Sequence, residues 1–433
     1  MTRRSAFLGV ALLLIAVPLP PRAAAAEVRA GVAHEPFVLP EKTPLAGYSR
    51  RRGASSQGVH DPVGVRALVL QEGETTAVLI SCDLLIVDER LAGAVRRRLT
   101  AHGLPKDMVL VLAATHTHSG PGAYGTKFLE KLSMGHFDPV VFDALAEQIA
   151  RTVLQAHAAL APVQQVVRST MTSGLVKNRM DSSGPVDGEV TVCALSRTGA
   201  RQPFAILVGF AAHPTTVGAW NRQFSADYPG VLARDVEEHF PTATCLFFAG
   251  AVGDQAPVKQ GSGFEAAEQL GHALASHVIA LLEDAGGLER PDALQALQET
   301  VPLPPARVRL GRLTLPRWLG RRLVDDDATL SAVAVGQAVF LGVPCDLSAA
   351  LGETLKRAAR AHRLQPMILG FAEDYIGYCL PEALYRTRTY EASMAFNGPT
   401  TGELIVNRMT QMIDKLSTRD GRHATNERQQ GVP

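Results

Sequence analysis

The sequence has few cysteines, almost no net charge and no apolar run long enough to cross a membrane. Its five cysteines are scattered over 433 residues, which excludes a small fold held together by disulfides. The formal net charge is +1, with 43 basic and 42 acidic residues interspersed, and this balance argues against nucleic acid as a partner. No internal repeat and no long low-complexity linker precedes the C-terminal tail. What is left is an ordinary globular chain with 46% hydrophobic residues, enough for a large core.

The N-terminal segment, residues 1–26, has the features of a secretory signal peptide. Arg3 and Arg4 precede an apolar stretch over 6–17, and prolines and a run of alanines follow. The alternative is a membrane anchor, but a spanning helix needs about 20 apolar residues, more than this stretch supplies. We therefore expect cleavage near residue 26 and an exported protein, periplasmic or secreted. The paired arginines leave the export route open.

Residues 27–417 predict one catalytic unit of the layered α/β class, followed by a disordered tail over 418–433. Short runs rich in valine, isoleucine, leucine and phenylalanine alternate with longer helical patterns. Strands are expected near 65–70, 76–82, 108–114, 204–211, 244–249, 331–335, 338–342 and 366–370. Helices are expected over 87–102, 138–159, 228–239, 263–283, 347–362 and 402–416. We expect mixed β-sheets in the core, flanked by helices.

Several predicted strands end in residues that bind metals or polarise carbonyl groups. The strand near 108–114 leads into residues 115–122 (Thr-His-Thr-His-Ser-Gly-Pro-Gly), and the strand near 204–211 leads into His213. Two later strands lead into Asp254 and Asp346. In open α/β sheets ligands bind beyond strand ends, so one metal site can collect all four segments.

His116 and His118 are the most prominent candidates. On an extended segment, side chains at i and i+2 project to one face roughly 7 Å apart, so one histidine can address a metal and the other the substrate. A neutral imidazole suits zinc. The alternative is that both merely hydrogen-bond within a strand-to-loop turn. His213, at a second strand end, favours the metal site, whereas we interpret His60 as a satisfied or substrate-facing histidine.

In order and combination, these motifs resemble the neutral, non-lysosomal ceramidase family. The resemblance covers nearly the whole mature chain. It rests on residues 45–48 (Leu-Ala-Gly-Tyr), 81–84 (Ser-Cys-Asp-Leu), 115–122 with Tyr124, 212–215 (Ala-His-Pro-Thr), the Gly-Asp-x-x-Pro turn at 253–257, and 390–393 (Tyr-Glu-Ala-Ser). It implies a hydrolase of linear amides that cleaves the N-acyl bond of ceramide or a similar lipid amide, with Zn²⁺ as cofactor and contact with a membrane surface.

The resemblance also implies roles for individual residues. The zinc ligands carried over are His116, His213, Asp346 and Tyr378. Tyr390 then stabilises the oxyanion formed from the amide carbonyl, and His118 contacts the substrate or supports a ligand. Asp254 is expected to act as an acid or orienting group beside the metal, with capping of its own turn as the alternative.

Two positions of the implied site depart from the family pattern. Residues 345–346 are Cys-Asp where the family has Gly-Glu, and aspartate reaches one methylene less far toward a metal. The family's serine before proline is Ala256 here, which removes the hydroxyl that an acyl-enzyme route requires. We therefore predict attack by zinc-bound hydroxide. The alternatives are a zinc amidase for another N-acyl amide, or a lipid- or metal-binding homologue without turnover.

Three further expectations concern the surroundings of the site. Lipid chains need an apolar slot, which residues 124–142 can line, with an ordinary core role as the alternative. The residues expected there are Phe128, Leu129, Leu132, Met134 and Phe137. The family's enzymes continue into a C-terminal β-sandwich domain, which this sequence is expected to lack. Cys345 and Cys379 each lie beside a predicted ligand, and export permits a disulfide between them.

Overall fold

A computed structural model describes residues 27–283, 286–310, 313–387 and 389–429, and its strands form wherever apolar residues can be buried on a sheet. The strands are β1 (Arg29–Pro36), β2 (Gly64–Glu72), β3 (Thr75–Cys82), β4 (Val109–Ala114), β5 (Ala161–Met171), β6 (Val176–Asn178), β7 (Glu189–Arg197), β8 (Pro203–Phe210), β9 (Thr244–Ala249), β10 (Gln255–Pro257), β11 (Leu294–Pro302), β12 (Arg309–Leu310), β13 (Leu313–Thr314), β14 (Asp327–Val335), β15 (Ala338–Gly342), β16 (Asp346–Leu347), β17 (Gln365–Leu369) and β18 (Tyr378–Cys379).

The helices cover the outer faces of the sheets. They are α1 (Glu89–Ala101), α2 (Phe128–Met134), α3 (Pro139–Ala158), α4 (Asp227–His239), α5 (Phe264–Glu283), α6 (Arg317–Gly320), α7 (Ala349–Ala361), α8 (Glu382–Tyr385), α9 (Tyr390–Ser393) and α10 (Thr401–Gln429), with a 3₁₀ turn over Ser49–Arg51. Local capping fixes several starts. Asp88 accepts a hydrogen bond from the backbone of Leu91 at the first turn of α1, and Asp138 does the same for Val140 in α3.

Two sheets make up the centre of the fold. One has eight strands in the order β4-β3-β2-β1-β5-β7-β8-β9, and the other has four in the order β11-β14-β15-β17. Helices α1, α3, α4 and α5 pack on the large sheet, while α7 and α10 pack on the small one. The two sheets face each other, and the result is four layers in the order helix, sheet, sheet, helix.

Strand β2 shows why the strands of the large sheet appear in the sequence as unbroken apolar runs. Val65 and Val69 pack toward the helices, whereas Leu68 and Leu70 pack toward the small sheet. Because both faces are buried, the usual alternation of apolar and polar residues is absent. Polar residues therefore appear where the strands end, and that is where a site can form.

The predicted fold class is confirmed by this arrangement of mixed sheets and flanking helices. The predicted strands and helices all lie close to observed ones, while β1, β5, β7 and β11 were not predicted. No helix among the described residues is long and apolar enough to cross a membrane. The predicted signal segment lies outside the described residues. Helix α10 continues to Gln429, into the predicted tail, and the last residues of that tail also lie outside the described part.

Candidate metal centre

Three histidines meet with one ring nitrogen each. The Nε2 atom of His116 lies 2.9 Å from Nε2 of His213, and Nε2 of His118 lies 3.2 and 3.3 Å from those two atoms. His116 and His118 follow β4, and His213 follows β8, so two strand ends of the large sheet supply the cluster. Among the described residues, this is the group of histidine, cysteine and acidic side chains that can hold a metal ion.

The backbone of His116 explains how two histidines two residues apart converge. His116 has φ of 64°, in the left-handed region that non-glycine residues seldom occupy. The expected spacing of roughly 7 Å assumed an extended segment, and it is wrong because this residue turns the chain. The imidazole of His116 stacks on Phe371, with 3.7 Å between ring centroids, and its Nδ1 donates to the carbonyl of Leu85 at 2.5 Å. These contacts fix the ring with Nε2 toward its neighbours.

The protonation of the cluster suits a cation. Nδ1 of His213 faces the carbonyl of Val252 at 3.4 Å, so in His116 and His213 the ring proton belongs on Nδ1 and the lone pair on Nε2. Burial lowers the pKa of both imidazoles well below the ordinary value, and burial with nearby Arg179 lowers the pKa of His118 to about 3. Neutral rings with lone pairs 2.9 Å apart repel each other, and a bound metal ion would relieve that repulsion.

His118 is brought into the cluster by a glycine. Gly47 has φ of 110°, and a Cβ atom there would fall 2.6 Å from both Cα and Cβ of His118. A side chain at 47 would therefore push His118 away from its partners. The ring centroid of Tyr48 lies 4.8 Å from that of His118, and Arg51 donates a hydrogen bond to the backbone carbonyl of His118. The Leu-Ala-Gly-Tyr segment thus supports the histidine cluster from one side.

Asp346 supplies an oxygen beside the nitrogens. Its Oδ1 lies 3.9 Å from Nε2 of His116 and 3.8 Å from Nδ1 of His213, is fully buried, and has no hydrogen-bond partner within the part of the chain that the structure describes. Its Oδ2 accepts a hydrogen bond from the hydroxyl of Tyr375 at 2.8 Å. Burial raises the pKa of Asp346 to about 7, although the Tyr375 bond opposes the rise. A buried carboxylate oxygen without a partner among the described residues, close to two of the three imidazoles, fits a metal ligand.

Tyr378 and the unpredicted Arg179 lie next to Asp346. Tyr378 pairs with Asp346 across the short parallel β16–β18 bridge, and its hydroxyl accepts a hydrogen bond from Arg179 at 2.8 Å. Arg179 also forms an ion pair with Glu391 at 2.9 Å. Burial disfavours the guanidinium charge, but Tyr378, Asp346 and Glu391 outweigh burial and raise the pKa of Arg179. No sequence pattern pointed to Arg179, because this residue lies in an irregular polar segment after β6.

Tyr390 lies at the cleft but further from the histidines. It begins the short helix α9, its ring centroid is 6.0 Å from that of Tyr378, and its side chain is 63% exposed. Thr389 accepts a hydrogen bond from Ala392 and fixes the start of this helix. Tyr390 is therefore positioned at the opening of the cleft, with its ring toward Tyr378.

Asp254 does not face the cleft. Its Oδ1 accepts hydrogen bonds from the backbone of Ala349 at 2.8 Å and from Gln255 at 2.9 Å, and its Oδ2 accepts one from Asn178 at 3.1 Å. Both oxygens are thus committed to holding the first turn of α7 and the β6–β10 pair. This geometry favours a structural role over an acid or orienting group at the metal, but the role is to join α7 and β6 rather than to cap the turn of Asp254 itself. Ala256, on β10, is not among the residues that line the cleft.

Three further residues that the sequence analysis singled out, one histidine and two cysteines, do not take the special roles considered for them. His60 hydrogen-bonds Asp61 at 2.9 Å and stacks on Phe264, which agrees with a satisfied histidine. Cys345 and Cys379 are buried and free, so the expected disulfide is not formed.

The histidines lie at the bottom of a cleft of about 520 Å³ with largely apolar walls. The apolar residues that line it are Leu85, Ile86, Leu129, Leu132, Leu323, Val324, Met394 and Phe396. Of the five hydrophobic residues expected to line the slot within 124–142, Leu129 and Leu132 line the cleft. Phe128 is 60% exposed and Met134 is buried in the core, because α2 turns one face alone toward the cleft. The second wall, over 323–325 and 394–396, was not predicted.

Comparison with known proteins places this geometry in a family. The family model for neutral/alkaline non-lysosomal ceramidases, N-terminal region, matches residues 40–269, more than half of the chain. The neutral ceramidase of Mycobacterium tuberculosis is 29% identical over 208 residues, which is 44% of this chain and 32% of that protein. The neutral ceramidase of Pseudomonas aeruginosa is 28% identical over 283 residues, 60% of this chain and 42% of that protein. The matched segments thus span about a third to two fifths of these relatives.

The fold agrees with the same group of proteins. The crystal structure of neutral ceramidase from Pseudomonas aeruginosa superposes with a TM-score of 0.81 at 21% identity, covering 92% of this chain and 75% of that one. A structure described as ceramidase complexed with C2 also gives 0.81, at 18% identity, with 91% and 76% covered. The part of the chain beyond residue 269 therefore follows the same fold. The chain belongs to the neutral/alkaline non-lysosomal ceramidase family.

Proposed function

We propose that this protein is a zinc-dependent amide hydrolase that cleaves the N-acyl bond of ceramide or a similar lipid amide. One observation carries the proposal: three imidazole nitrogens converge at the bottom of an apolar cleft, and the carboxylate oxygen Oδ1 of Asp346, unpartnered among the described residues, lies 3.9 Å from one of them. A metal binds such donors, and a lipid chain binds such walls. Family membership and the names of the relatives support the choice of an amide bond.

The donor set supports zinc as the metal. His116, His213 and Asp346 would hold it, as the resemblance implied, and the position of His118 makes it an additional ligand. Neutral imidazole and carboxylate are ligands that zinc accepts in catalytic sites. Tyr378 stays a predicted ligand, and its hydroxyl is already engaged by Arg179. When bound, zinc supplies a Lewis acid and lowers the pKa of a bound water to about 7.

Arg179 and Tyr390 provide the charge and the donor that an acyl transfer needs. Hydrolysis of an amide places negative charge on the former carbonyl oxygen, and preorganised donors stabilise it in the transition state. Arg179 lines the cleft beside Tyr378 and His213 and is held in place by Glu391. Tyr390 lines the same cleft from its mouth and can donate its hydroxyl. The two residues act from different sides on the same bound carbonyl group.

The apolar walls orient the substrate. A cleft with leucine, isoleucine, valine, methionine and phenylalanine on its walls favours an acyl chain over a polar amine. Lys127 and Asp325 form an ion pair between the two walls, with Glu130 next to Lys127. These groups provide polar partners for the hydroxylated part of a lipid amide, away from the metal.

A second candidate is favoured by Ala256 and by the position of Asp254. A binding protein without turnover keeps the metal and the cleft but needs neither a hydroxyl at 256 nor an acid at 254. A zinc amidase for another N-acyl amide is the third possibility, because the cleft recognises an apolar chain more clearly than a headgroup.

Metal analysis combined with a substrate panel tests the proposal. Purified protein is expected to contain zinc, and to hydrolyse ceramides of short and long acyl chain faster than acyl amino acids of the same chain length. A His116→Ala variant is the control for contaminating amidases. Zinc without hydrolysis of any amide supports the binding protein, and hydrolysis of acyl amino acids alone supports the third possibility. Absence of zinc, with no rescue by added zinc, contradicts the metal-dependent function altogether.

Export is part of the same proposal. The signal-like segment over 1–26 supports it, and an exported hydrolase meets lipid amides at a membrane surface. Fractionation of cells that produce the full chain, compared with a chain lacking residues 2–26, measures this directly. The full chain is expected outside the cytoplasm at a lower mass, and the shortened chain inside.

A further inference from the structure

The segment over 371–375 contacts both the nitrogen and the oxygen donors of the metal centre. At its start, the ring of Phe371 stacks on the imidazole of His116, with 3.7 Å between ring centroids and 4° between ring planes. At its end, the hydroxyl of Tyr375 donates a hydrogen bond to Oδ2 of Asp346 at 2.8 Å. The position of this one segment therefore affects two of the proposed ligands at once.

Two residues of the segment have a left-handed backbone conformation. The φ angle is 56° at Phe371 and 64° at Glu373. A residue with a side chain adopts this conformation only where its surroundings impose it. Part of the constraint is pairing with β4, the outermost strand of the large sheet. The N–H of Ala114 donates to the carbonyl of Phe371 at 3.3 Å, and the N–H of Glu373 donates to the carbonyl of Leu112 at 2.8 Å.

The side chain of Glu373 supplies a second connection between the segment and β4. It is only 5% exposed, and its Oε1 accepts a hydrogen bond from the backbone N–H of Leu112 at 2.7 Å. Its Oε2 accepts one from Nε2 of Gln298 at 3.2 Å and lies 3.8 Å from the guanidinium of Arg96. Leu112 thus contacts Glu373 twice, through its carbonyl and through its N–H. A carboxyl group this deeply buried is tolerated only with such partners.

The partners of Glu373 are themselves held in place. Nε2 of Gln298, on β11, also donates to the carbonyl of Leu110 at 2.9 Å and lies 3.0 Å from the hydroxyl of Ser331 on β14. Its Oε1 accepts a hydrogen bond from Arg96 of α1 at 2.7 Å. The side chain of Glu373 therefore joins the segment over 371–375 to strands of both sheets and to a helix, where the two sheets meet.

Glu373 acts at a distance from the substrate. The described residues that line the cleft include Tyr375 but not Glu373. Glu373 borders a separate surface pocket beside α1, together with Arg96 and Gln298. Any effect of Glu373 on the metal centre must therefore pass through Phe371 and Tyr375.

We propose that Glu373 is a positioning residue that holds the segment over 371–375 on β4 and thereby fixes His116 and Asp346 together. The proposal rests on the proposed function in so far as these two residues hold a metal. Without the carboxylate, the left-handed residues can relax toward more favourable backbone conformations. Phe371 then no longer keeps its place on the ring of His116, and the hydrogen bond from Tyr375 to Asp346 loses its geometry.

NMR of the metal-free protein with labelled histidine tests this positioning without zinc. The ring protons of His116 lie over the face of Phe371, so the ring current shifts their signals upfield, and the loss of these signals in His116→Ala identifies them. Glu373→Ala should move the signals downfield. Glu373→Gln should move them less, because it keeps an acceptor for Leu112 and only turns an amide group toward Gln298.

Competition with a chelator measures the effect on zinc. Zinc affinity should fall about tenfold in Glu373→Ala and about threefold in Glu373→Gln, at or below the lower end for residues that support a ligand directly. In turnover assays kcat should fall while KM stays nearly unchanged, because Glu373 does not line the cleft. A merely structural role would not alter zinc affinity or the His116 signals in a variant that is fully folded.

Glu237→Gln is the matched control. Oε1 of Glu237 also accepts hydrogen bonds from a strand N–H, that of Cys245 at 2.9 Å, and from a side chain, that of Arg66 at 3.4 Å. These partners lie on β9 and β2 rather than on the segment over 371–375. The control should keep the His116 signals and the zinc affinity of the unchanged protein. Denaturant unfolding verifies that each variant is folded under the conditions of the measurements.

Three outcomes would overturn the positioning role. They are unmoved His116 signals in folded Glu373→Ala, an equal shift in Glu237→Gln, and shifted signals with unchanged zinc affinity in a protein that binds zinc. If Glu373→Ala does not fold, the same comparison with Glu373→Gln decides. If the unchanged protein binds no zinc but the signals move as expected, the positioning of His116 is supported and the proposed function alone is contradicted.

Discussion

The two parts of the chain that meet at the cleft contribute different donors. The part up to residue 269, which the family model matches, supplies the three histidines from loops after β4 and β8. The later part supplies Asp346, Tyr375 and Tyr378 from the two-residue bridge of β16 and β18 and the loop before it. The nitrogen side rests on long buried strands. The oxygen side rests on a two-residue bridge and an irregular loop, and there the chain carries Cys-Asp where the resemblance implies Gly-Glu. The two sides of the site are thus supported by backbone of different regularity.

The largest expected effect is on the nitrogen side. Changing His116 to alanine removes the ring that is fixed by both Leu85 and Phe371. Zinc affinity should fall by more than about a hundredfold, the upper range for residues that merely support a ligand, and turnover should be lost. Metal analysis after dialysis and turnover assays measure both. His60→Ala, which changes a histidine outside the cleft, is the control, and retention of zinc by His116→Ala would remove His116 from the site.

A smaller loss is expected on the oxygen side. Asp346→Asn keeps the size of the side chain and an acceptor for Tyr375 but removes the negative charge, so zinc affinity should fall by about ten- to a hundredfold. Asp346→Glu keeps the charge and should retain most of the zinc. Competition with a chelator gives the affinities. If Asp346→Asn binds zinc as tightly as the unchanged protein, the metal is held by nitrogen alone and the comparison between the two sides fails.

A still smaller effect is expected at Tyr375, which acts through Asp346. Tyr375→Phe removes the hydrogen bond that Oδ2 of Asp346 accepts from the Tyr375 hydroxyl, and the carboxylate is then held less firmly. We expect kcat/KM to fall about tenfold, with zinc retained. Tyr385→Phe changes a buried tyrosine that does not line the cleft and should leave both quantities unchanged. Loss of zinc in Tyr375→Phe would mean that this residue does more than orient Asp346.

The two sides should also respond to pH in opposite directions in the metal-free protein. The pKa of His118 is lowered to about 3 in the folded protein, so the folded state binds a proton less readily than the unfolded state does. His118 therefore lowers the free energy of unfolding as pH falls below about 6.5. The pKa of Asp346 is raised to about 7, so its contribution is full below about 3.8 and is lost as pH rises through about 7. Each slope is at most about 1.4 kcal/mol per pH unit.

Denaturant unfolding of His118→Gln and Asp346→Asn against the unchanged protein measures these slopes. The stability of the unchanged protein relative to His118→Gln should be constant above pH 6.5 and should decrease below it. The stability of the unchanged protein relative to Asp346→Asn should decrease as pH rises from about 4 to about 7. Slopes of the same sign for both pairs would contradict the assigned pKa directions.

The sequence predicted the layers and the ends of the buried strands well, because unbroken apolar runs such as that of β4 have few alternatives. It did not predict β5 or β11, where residues such as Gln164, Arg168 and Gln298 interrupt the apolar pattern. These strands are stabilised by pairing with neighbours that are distant in sequence. Local pattern carries no information on such pairing.

For the site, the sequence predicted which segments converge but not the position and role of each side chain. His116 and His118 were assigned different tasks because an extended backbone was assumed, whereas a positive φ at His116 brings both rings to one point. Arg179 was missed because nothing in its neighbours distinguishes it from a surface arginine. The structural role of Asp254 depends on α7, which lies about a hundred residues later in the chain. The roles of Asp346, Tyr378 and Tyr390 in binding metal and substrate stay predictions.

Gly47 gives a way to recognise chains of this design among distant sequences. Its missing side chain leaves the space that His118 occupies, and even alanine would collide with the backbone of that histidine. A related chain that has both histidines but a larger residue at this position cannot close the same three-nitrogen cluster without moving its backbone. The identity of one small residue, about seventy positions before the histidine it accommodates, can therefore be used to sort related sequences. It separates chains that retain the geometry of the histidine cluster from chains that retain only the histidine motif in their sequence.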